Sequence, residues 1–372
     1  MEETEAFDDF LFDSITRYNT LQIFNLENIP HNIVQLDEFS ICVSTQRSKG
    51  NNSELLRLQL PKKLFLTAEE EGRCKENDFK ILSGAYTENS ICSLGQLKGQ
   101  KVVTSELGIK GLKIYNLTDK LGSNCQEERL DVIPWLTPNF VVLNQKDCLV
   151  CTKSTQDPIL LIDFETKKII KDVKLQIASN VKVGDKADVN DNLLCEPLST
   201  NVIALLNTFT GDLFLHDLRT TDVFNKMPST DIDTDEKWTI SRHESSKEPN
   251  FLGLLSNRQS VCIYDITSNS RLARSVGNNL AKLENNGFKF KFCGNQDLFS
   301  ISGFDGNVEI YKIDNNNLNH IFTHNGHCPG NSKSYFVTDH IWLPINNKEL
   351  VVSICNNKTL NCWEFINKNC TT

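Results

Sequence analysis

The stretch "ISGFDGNVEIYKI", residues 301–313, joins two short runs of alternating apolar residues through an Asp-Gly pair. Alternation with a period of two is typical of a half-buried β-strand. Asp-Gly is a common turn between antiparallel strands, in which Gly306 would accept a positive φ. The stretch therefore predicts a β-hairpin. It leaves open whether Asp305 is a catalytic or metal-binding carboxylate, or a residue that stabilises one unit of a repeated β architecture.

Segments of the same shape recur along the chain. Eight of them carry alternating apolar residues that end near a polar or acidic residue: 21–26, 54–60, 111–117, 158–164, 211–218, 260–266, 307–313 and 359–365. The equivalent position near the end of each later segment is Tyr115, Ile162, His216, Tyr264, Tyr311 and Trp363. Subtraction gives steps of 47, 54, 48, 47 and 52 residues between these positions.

This spacing predicts an all-β fold, a seven-bladed β-propeller of the WD-repeat kind, because it lies a little above the ~40–45 residues of a WD-repeat blade. Segments two to eight each supply one blade. Segment 21–26 is predicted to be the N-terminal strand that completes the last blade, so that no strand edge stays unpaired at the closure. We expect an acidic amphipathic segment at 1–17, the propeller at 18–368 and a tail at 369–372.

The motif residues are interpreted as structural ties between turn and strand. In WD repeats, an Asp in the turn lies six residues before the aromatic residue of the third strand, and a His at the start of the blade joins the same hydrogen bonds. The residues that match are Asp305, Tyr311, His327, Asn357 and Trp363. No second carboxylate or nucleophile lies beside Asp305 in the sequence, which disfavours acid–base catalysis there.

The composition indicates a soluble intracellular protein. Hydrophobic residues make up 39% and charged residues 23%, and the formal net charge is -9, which disfavours a nucleic acid as the direct partner. The acidic start of the chain lacks the features of a secretory signal, and no apolar run reaches the ~20 residues of a membrane span. The 13 cysteines are odd in number and lie mostly in apolar runs, which is typical of reduced thiols rather than of a disulfide framework.

Three short patterns could carry chemistry, but each has a simpler structural interpretation. His320, His324, His327 and Cys328 could suit zinc, although structural zinc sites normally draw ligands from two separated knuckles. "FKFKFCG" at 288–294 could stack nucleotides, but its strict alternation favours a half-buried strand. "CLVC" at 148–151 has redox spacing without a following helix. We expect no catalytic residue, no metal and no cofactor.

The N-terminal segment is predicted to be a short amphipathic helix. Apolar residues recur at helical spacing, and Asp8, Asp9 and Asp13 lie in its early turns, where the helix dipole favours negative charge. Two interpretations stay open: the helix packs on the propeller rim, or it docks into a groove on a partner. The candidate partner-binding residues are Phe7, Phe10, Leu11 and Ile15.

Several stretches resemble the WD repeat-containing protein 73 family. They are "DDFLFDSITRYNTLQIFNL" at 8–26, "LPKKLFL" and "NDFKILSGAYTENSI" within 60–91, "ISGFDGNVEIY" at 301–311, "IFTHNGH" at 321–327, and the final "HIWLP" and "LNCWEF". The resemblance keeps its order along most of the chain. Between about 122 and 250 it rests on the blade rhythm alone.

The resemblance implies a non-enzymatic scaffold or adaptor, mainly cytoplasmic, that assists assembly of the RNA-cleavage subunits of the Integrator complex. It also implies the alternative of a regulator associated with microtubules and the spindle pole in dividing cells, with tubulin or microtubule-associated proteins as partners. A third alternative, an enzyme with its site in the propeller channel, would need convergent titratable residues that the sequence does not display.

Overall fold

The chain is built from short antiparallel strands, as its alternating apolar residues dictate. The computed structural model describes residues 2–47, 52–65, 78–118, 127–143, 148–154, 157–174, 193–199, 201–220, 224–226, 236–243, 251–268, 270–275, 287–294, 297–314, 317–327, 334–345 and 348–366. Within these ranges, the side chains of 2–7, 148–149, 224–226 and 274–275 are outside the description. Cys328 therefore lies outside the described residues, and so do the side chains of Phe7 and Cys148.

The described elements comprise one α-helix, one 3-10 helix and strands β1 to β28. In chain order they are α1 (Glu2–Arg17), β1 (Tyr18–Asn25), β2 (Ile29–Asp37), β3 (Ser40–Gln46), β4 (Ser53–Gln59), the 3-10 helix (Lys62–Phe65), β5 (Lys80–Tyr86), β6 (Ile91–Leu97), β7 (Lys101–Glu106), β8 (Leu112–Asn116), β9 (Glu127–Leu130), β10 (Asn139–Leu143), β11 (Cys148–Thr152), β12 (Ile159–Asp163), β13 (Lys168–Val173), β14 (Leu193–Pro197), β15 (Val202–Asn207), β16 (Leu213–Asp217), β17 (Phe224–Lys226), β18 (Trp238–Arg242), β19 (Phe251–Ser256), β20 (Val261–Asp265), β21 (Ser270–Ser275), β22 (Lys289–Phe292), β23 (Leu298–Ser302), β24 (Val308–Asp314), β25 (Asn317–His324), β26 (Val337–Ile345), β27 (Lys348–Cys355) and β28 (Thr359–Phe365). In this part of the chain, no helix is long and apolar enough to cross a membrane.

These strands form seven four-stranded antiparallel sheets across the described residues, and the fold is a seven-bladed β-propeller, as predicted. Six sheets take four consecutive strands each, from β2–β5 to β22–β25, and the seventh has the order β1-β28-β27-β26. The third strand of each sheet overlaps one of the segments that defined the repeat: β4, β8, β12, β16, β20, β24 and β28. The alternating pattern was therefore a reliable marker of one strand per blade.

The chain divides into two compact units. The first comprises Met1–Leu94, Asn116–Gln126 and Gly287–Thr372 and includes α1, sheet β2–β5, sheet β22–β25 and the last sheet. Its last sheet is completed by β1, which pairs with β28 so that Leu21 lies opposite Trp363 and Phe24 opposite Leu360. Two apolar clusters form its core: one joins sheet β2–β5 to the last sheet, and the other joins the last sheet to β22–β25 and α1.

The second unit comprises Gly95–Tyr115 and Glu127–Asn286. In it, the third-strand aromatic residue Tyr115 donates its hydroxyl to Glu106 Oε1 at 2.9 Å. Lys113 Nζ lies 3.3 Å from Glu106 Oε2 and 3.4 Å from Glu127 Oε1, and both Lys113 and Glu106 are buried. Removal of one partner of a buried ion pair leaves an unpaired buried charge, which strongly destabilises the fold. In sheet β6–β9, a buried ion pair therefore stands where the WD-repeat motif would have neutral hydrogen-bonding residues.

The stretch at 301–313 forms β23, a turn and β24. The positive φ expected at Gly306 is found at Gly303 instead, where φ is 96°. A Cβ on Gly303 would lie 2.5 Å from the Gly287 carbonyl oxygen and 2.5 Å from the Phe288 Cα. Gly303 therefore meets two demands that only glycine can satisfy, a left-handed backbone and a close backbone approach.

Candidate functional site

The last sheet contains a hydrogen-bonded chain that starts at its third-strand tryptophan. Trp363 Nε1 donates to Ser353 Oγ at 3.2 Å, and Ser353 Oγ lies 2.8 Å from His327 Nε2. His327 Nδ1 lies 2.5 Å from Thr359 Oγ1, whose hydroxyl donates to Asn357 Oδ1 at 2.6 Å. Since the Thr359 hydrogen is used by Asn357, His327 Nδ1 carries the hydrogen that faces Thr359, and Nε2 accepts from Ser353.

Asn357 also closes the turn before β28. Its amide Nδ2 donates to the His327 backbone oxygen at 2.6 Å, and its Oδ1 accepts from the Thr359 amide at 3.1 Å. Asp305, which has the same six-residue spacing to its aromatic residue, behaves differently. It is exposed, and its carboxylate accepts from the backbone amide and the side-chain amide of Asn307 at 2.8 and 3.2 Å. Tyr311 stacks on Phe299 with ring centroids 5.2 Å apart.

A second fully buried histidine, His324, joins this chain to the N-terminal strand. Its ring stacks on Trp363 at 4.3 Å, and Nε2 accepts from Asn361 Nδ2 at 3.1 Å. The ring hydrogen is then on Nδ1, which faces the Tyr18 hydroxyl at 2.9 Å. The sequence does not reveal the contact between Tyr18 and His324, because 306 positions separate them and no local pattern links them.

A third buried histidine, His340, belongs to the same unit. Trp342 Nε1 donates to Ser300 Oγ at 2.8 Å, and Ser300 donates to the Lys291 carbonyl at 3.3 Å. His340 Nε2 therefore donates to Ser300 Oγ at 2.7 Å, and its Nδ1 accepts from Ser302 Oγ at 2.8 Å. The hydrogen-bond partners of all three histidines suit a neutral imidazole.

Burial has the same effect on each of these groups. It lowers the pKa of His327 to about 3 and that of His340 to about 3. Burial also lowers the pKa of His324 well below its usual range, and the neighbouring His327 adds to this effect. Burial raises the pKa of the Tyr18 hydroxyl. These groups stay neutral near pH 7, which fits a structural network better than acid–base chemistry.

The histidines do not gather as metal ligands. His320 is exposed and pairs with Glu309 Oε2 at 2.5 Å, while His324 and His327 bond to different partners. Among the residues with described side chains, no group of three His, Cys, Asp or Glu side chains could hold a metal ion. In β22, the phenylalanines at 290 and 292 are buried and the lysines at 289 and 291 are half-buried, as in a strand with two different faces.

Helix α1 lies against this network through two anchors. Phe10 is buried, and its ring contacts Tyr18 with centroids 6.2 Å apart. Arg17 donates Nη1 to Asn325 Oδ1 at 3.1 Å and Nη2 to the Thr323 carbonyl at 2.5 Å. Its guanidinium also lies 5.3 Å from the Phe322 ring centre. The last turn of the helix is therefore fixed to the strands beside it.

The apolar residues of the helix divide between two environments. The Phe10 side chain is buried, whereas the side chains of Leu11 and Ile15 are 40% and 74% exposed. Phe12, which is not among the residues predicted from the sequence, is 75% exposed. Asp8, Asp9 and Asp13 are exposed on the same helix, and Asp13 pairs with Arg17. We call Leu11, Phe12 and Ile15 the helix face. It is an apolar surface with an acidic rim, held on a fixed support.

Comparison with known proteins gives relatives that match the whole chain. The Integrator complex assembly factor WDR73 of Danio rerio is 24% identical over 392 residues, which cover 97% of this chain and 97% of that protein. The protein of the same name from Homo sapiens is 23% identical over 384 residues, covering 96% of this chain and 97% of that protein. No family model matches the chain.

Among solved structures, the crystal structure of Chaetomium thermophilum Raptor superposes with a TM-score of 0.62 at 10% identity. The match covers 95% of this chain, but only 29% of the Raptor chain. At this identity the likeness concerns the fold alone.

Proposed function

Because the chain belongs to the family of WD repeat-containing protein 73, we propose that it is a non-enzymatic scaffold that assists the assembly of a protein complex. The names of the full-length relatives support a role in assembly of the Integrator complex. We propose the RNA-cleavage subunits of that complex as the clients and the cytoplasm as the place of assembly. The fold supports a scaffold, since propellers present loops and added elements on a rigid β framework.

The observation that carries this proposal is the helix face on an anchored helix. Leu11, Phe12 and Ile15 are exposed, although burying one such side chain contributes roughly 1.5–3 kcal/mol. Recognition of an amphipathic helix usually places its apolar side chains in a groove of the partner. The three exposed aspartates on α1 favour a groove with a basic rim.

The test compares the full-length chain with the triple variant Leu11→Ala/Phe12→Ala/Ile15→Ala. These side chains are exposed, so the variant should fold as the parent does. Ile169→Ala/Ile170→Ala, which removes two exposed isoleucines from β13, is the matched control. We expect quantitative affinity purification under gentle lysis to recover the cleavage subunits with the parent and the control. Recovery should fall at least about tenfold with the triple variant.

Two results would contradict the proposal in different ways. If the parent recovers no cleavage subunit, the assembly role fails. If the triple variant recovers as much as the parent, the role stands and docking through the helix face fails. Point variants suit this purpose better than deletion of 1–17, which would also remove the Phe10 and Arg17 anchors.

Association with microtubules is the competing proposal, and purified protein tests it directly. Salt-dependent co-sedimentation with polymerised tubulin would favour it. The acidic rim of the helix face and the net charge of -9 make direct binding to acidic tubulin surfaces unfavourable. We therefore expect the purified protein to stay in the supernatant at physiological ionic strength.

A further inference from the structure

A second apolar surface lies in the other unit, where two segments are clamped together. The turn between β7 and β8 meets the connection that follows β9. The Gly111 amide donates to the Trp135 carbonyl at 3.0 Å, and the Thr137 amide donates to the Ile109 carbonyl at 2.8 Å. Lys110 and Leu136 form a β-bridge between the same segments. The two segments thus form one built surface rather than two independent loops.

Thr137 is held in a backbone conformation that its side chain disfavours. Its φ is 47°, in the left-handed region, where a β-branched residue is an outlier. It also precedes Pro138, which by itself pushes the preceding residue toward extended backbone. The Thr137 hydroxyl offsets this cost, since it accepts from the Gly108 amide at 2.9 Å and donates to the Glu106 carbonyl at 3.2 Å. Strain of this kind is concentrated at ligand-binding and switch regions.

The clamp presents apolar side chains to solvent. Leu107 is 59% exposed, Leu136 is 58% exposed and Val132 is 38% exposed. Leu107 and Leu136 come from the two different segments, whose backbones are joined beside them by the bonds of Thr137 to Glu106 and Gly108. Exposed apolar side chains scattered singly need no explanation, but a group of them on one rigid, strained support indicates an interaction site. We call Leu107, Val132 and Leu136 the clamped surface.

Two lysines and one aspartate lie beside the clamped surface. Lys110 is exposed within the β7–β8 turn, and Lys153 donates Nζ to the Thr137 carbonyl at 3.4 Å. Asp131 is an exposed acidic residue that precedes Val132. These three residues give a rim with one positive charge in excess, in a chain whose net charge is -9. Such a rim favours a partner that brings carboxylates next to its apolar side chains.

We propose that the clamped surface is a docking site for a client segment that carries apolar side chains flanked by carboxylates. This inference rests on the proposed function, because the segment belongs to the assembled clients. It adds a second contact, in the second unit, with a charge preference opposite to that of the helix face. Two contacts of opposite preference would allow the scaffold to discriminate between two different surfaces of its clients.

The test measures binding of the purified Integrator cleavage subunits to the immobilised full-length protein by biolayer interferometry. Leu107→Ser/Leu136→Ser should weaken binding at least about tenfold, because two apolar contacts are lost. Ile169→Ser/Ile170→Ser is the matched control and should bind as the parent does. Lys110→Glu should weaken binding at low salt and reduce its salt dependence, whereas Lys168→Glu on β13 should not.

Each outcome of this binding experiment either supports or overturns the proposed docking site. Weaker binding by the Leu107/Leu136 and Lys110 variants, with unchanged controls and an unchanged thermal unfolding midpoint, supports the clamped surface as a docking site. If the parent binds and these variants bind equally well, the docking site is overturned while the assembly role stands. If the parent does not bind the cleavage subunits at all, the proposed function and this inference fail together.

Discussion

At the residue scale, the hydroxyl hydrogen of Thr359 determines the tautomer and the protonation state of His327. Thr359 uses its hydroxyl hydrogen on Asn357, so His327 must donate from Nδ1 and accept at Nε2 from Ser353. A protonated ring would place a hydrogen on Nε2, so the Ser353 hydroxyl, which accepts from Trp363, could no longer donate its own hydrogen to this nitrogen. The network is therefore complete only with a neutral histidine.

The first prediction compares Asn357 with Asp305, which have equal spacing to the third-strand aromatic residue. Asn357→Ala removes bonds to the His327 backbone and to Thr359, and we expect it to lower the free energy of unfolding by about 2 kcal/mol. Asp305→Ala removes only exposed turn contacts and should cost about 0.5 kcal/mol. Urea unfolding followed by tryptophan fluorescence measures both. Equal losses would contradict this account.

A second prediction concerns the turn glycine of the stretch at 301–313. Gly303→Ala places a Cβ 2.5 Å from backbone atoms that cannot move aside, in addition to its left-handed φ. We expect a loss of about 3 kcal/mol or more. Gly99→Ala is the control: its φ is 72°, but a Cβ there meets nothing within 4 Å. It should cost about 1 kcal/mol, the cost of the backbone conformation alone. Comparable chemical denaturation midpoints for the two variants would be inconsistent with the close approach.

At the element scale, α1 depends on contacts made by single side chains rather than on its own propensity. A helix of 16 residues is marginal in isolation, so its order comes from packing. Phe10 supplies that packing from the inner side, and Arg17 fixes the last turn. The exposed helix face contributes little to folding, which fits the docking role proposed for it.

Two neighbouring phenylalanines provide the third prediction. Phe10→Ala should increase the amide exchange rate throughout α1, because the buried ring that holds the helix is lost. Phe12→Ala removes a ring that is 75% exposed and should leave the exchange rates unchanged. Hydrogen–deuterium exchange with mass spectrometry reports both. If Phe12→Ala also released the helix, the distinction between its inner and outer sides would be wrong.

At the scale of the whole molecule, the three buried histidines predict sensitivity to mild acid. Burial holds the pKa of His327 and of His340 at about 3, and that of His324 well below 6.5. The unfolded chain binds protons at these side chains below about pH 6.5, and the folded chain does not. Their stabilising contribution is thus complete above pH 6.5 and is lost as the pH falls toward 3.

The measurement for this fourth prediction is the free energy of unfolding between pH 7 and pH 5. Below pH 6.5, each histidine should steepen the decline by up to about 1.4 kcal/mol per pH unit. His340→Gln should lower stability at pH 7, because it disturbs Ser300 and Ser302, and should reduce the slope by about a third. A flat profile from pH 6.5 to pH 5 would show that the rings are protonated when folded or accessible to solvent.

The sequence predicted the features that repeat locally and the completion of the last sheet by segment 21–26, but it missed individual side-chain contacts between distant residues. Alternating runs such as 307–313 mark the third strands because burial on two faces acts within a few residues. The contact between Tyr18 and His324 spans 306 positions, and the division between Phe10 and Phe12 depends on what lies beneath the helix. The buried Lys113 departs from the usual placement of charged residues, so only the folded contacts could reveal it.

The pairing of β1 with β28 has a consequence for synthesis on the ribosome. Tyr18 leaves the ribosome early, whereas its partner His324 is made 306 positions later. At a synthesis rate of roughly 5–20 residues per second, about 15–60 s pass between the synthesis of β1 and α1 and the synthesis of the strands on which they pack. During that interval the apolar side chains of both elements are unprotected on the nascent chain. Chaperones that bind nascent chains would find a substrate in these two elements.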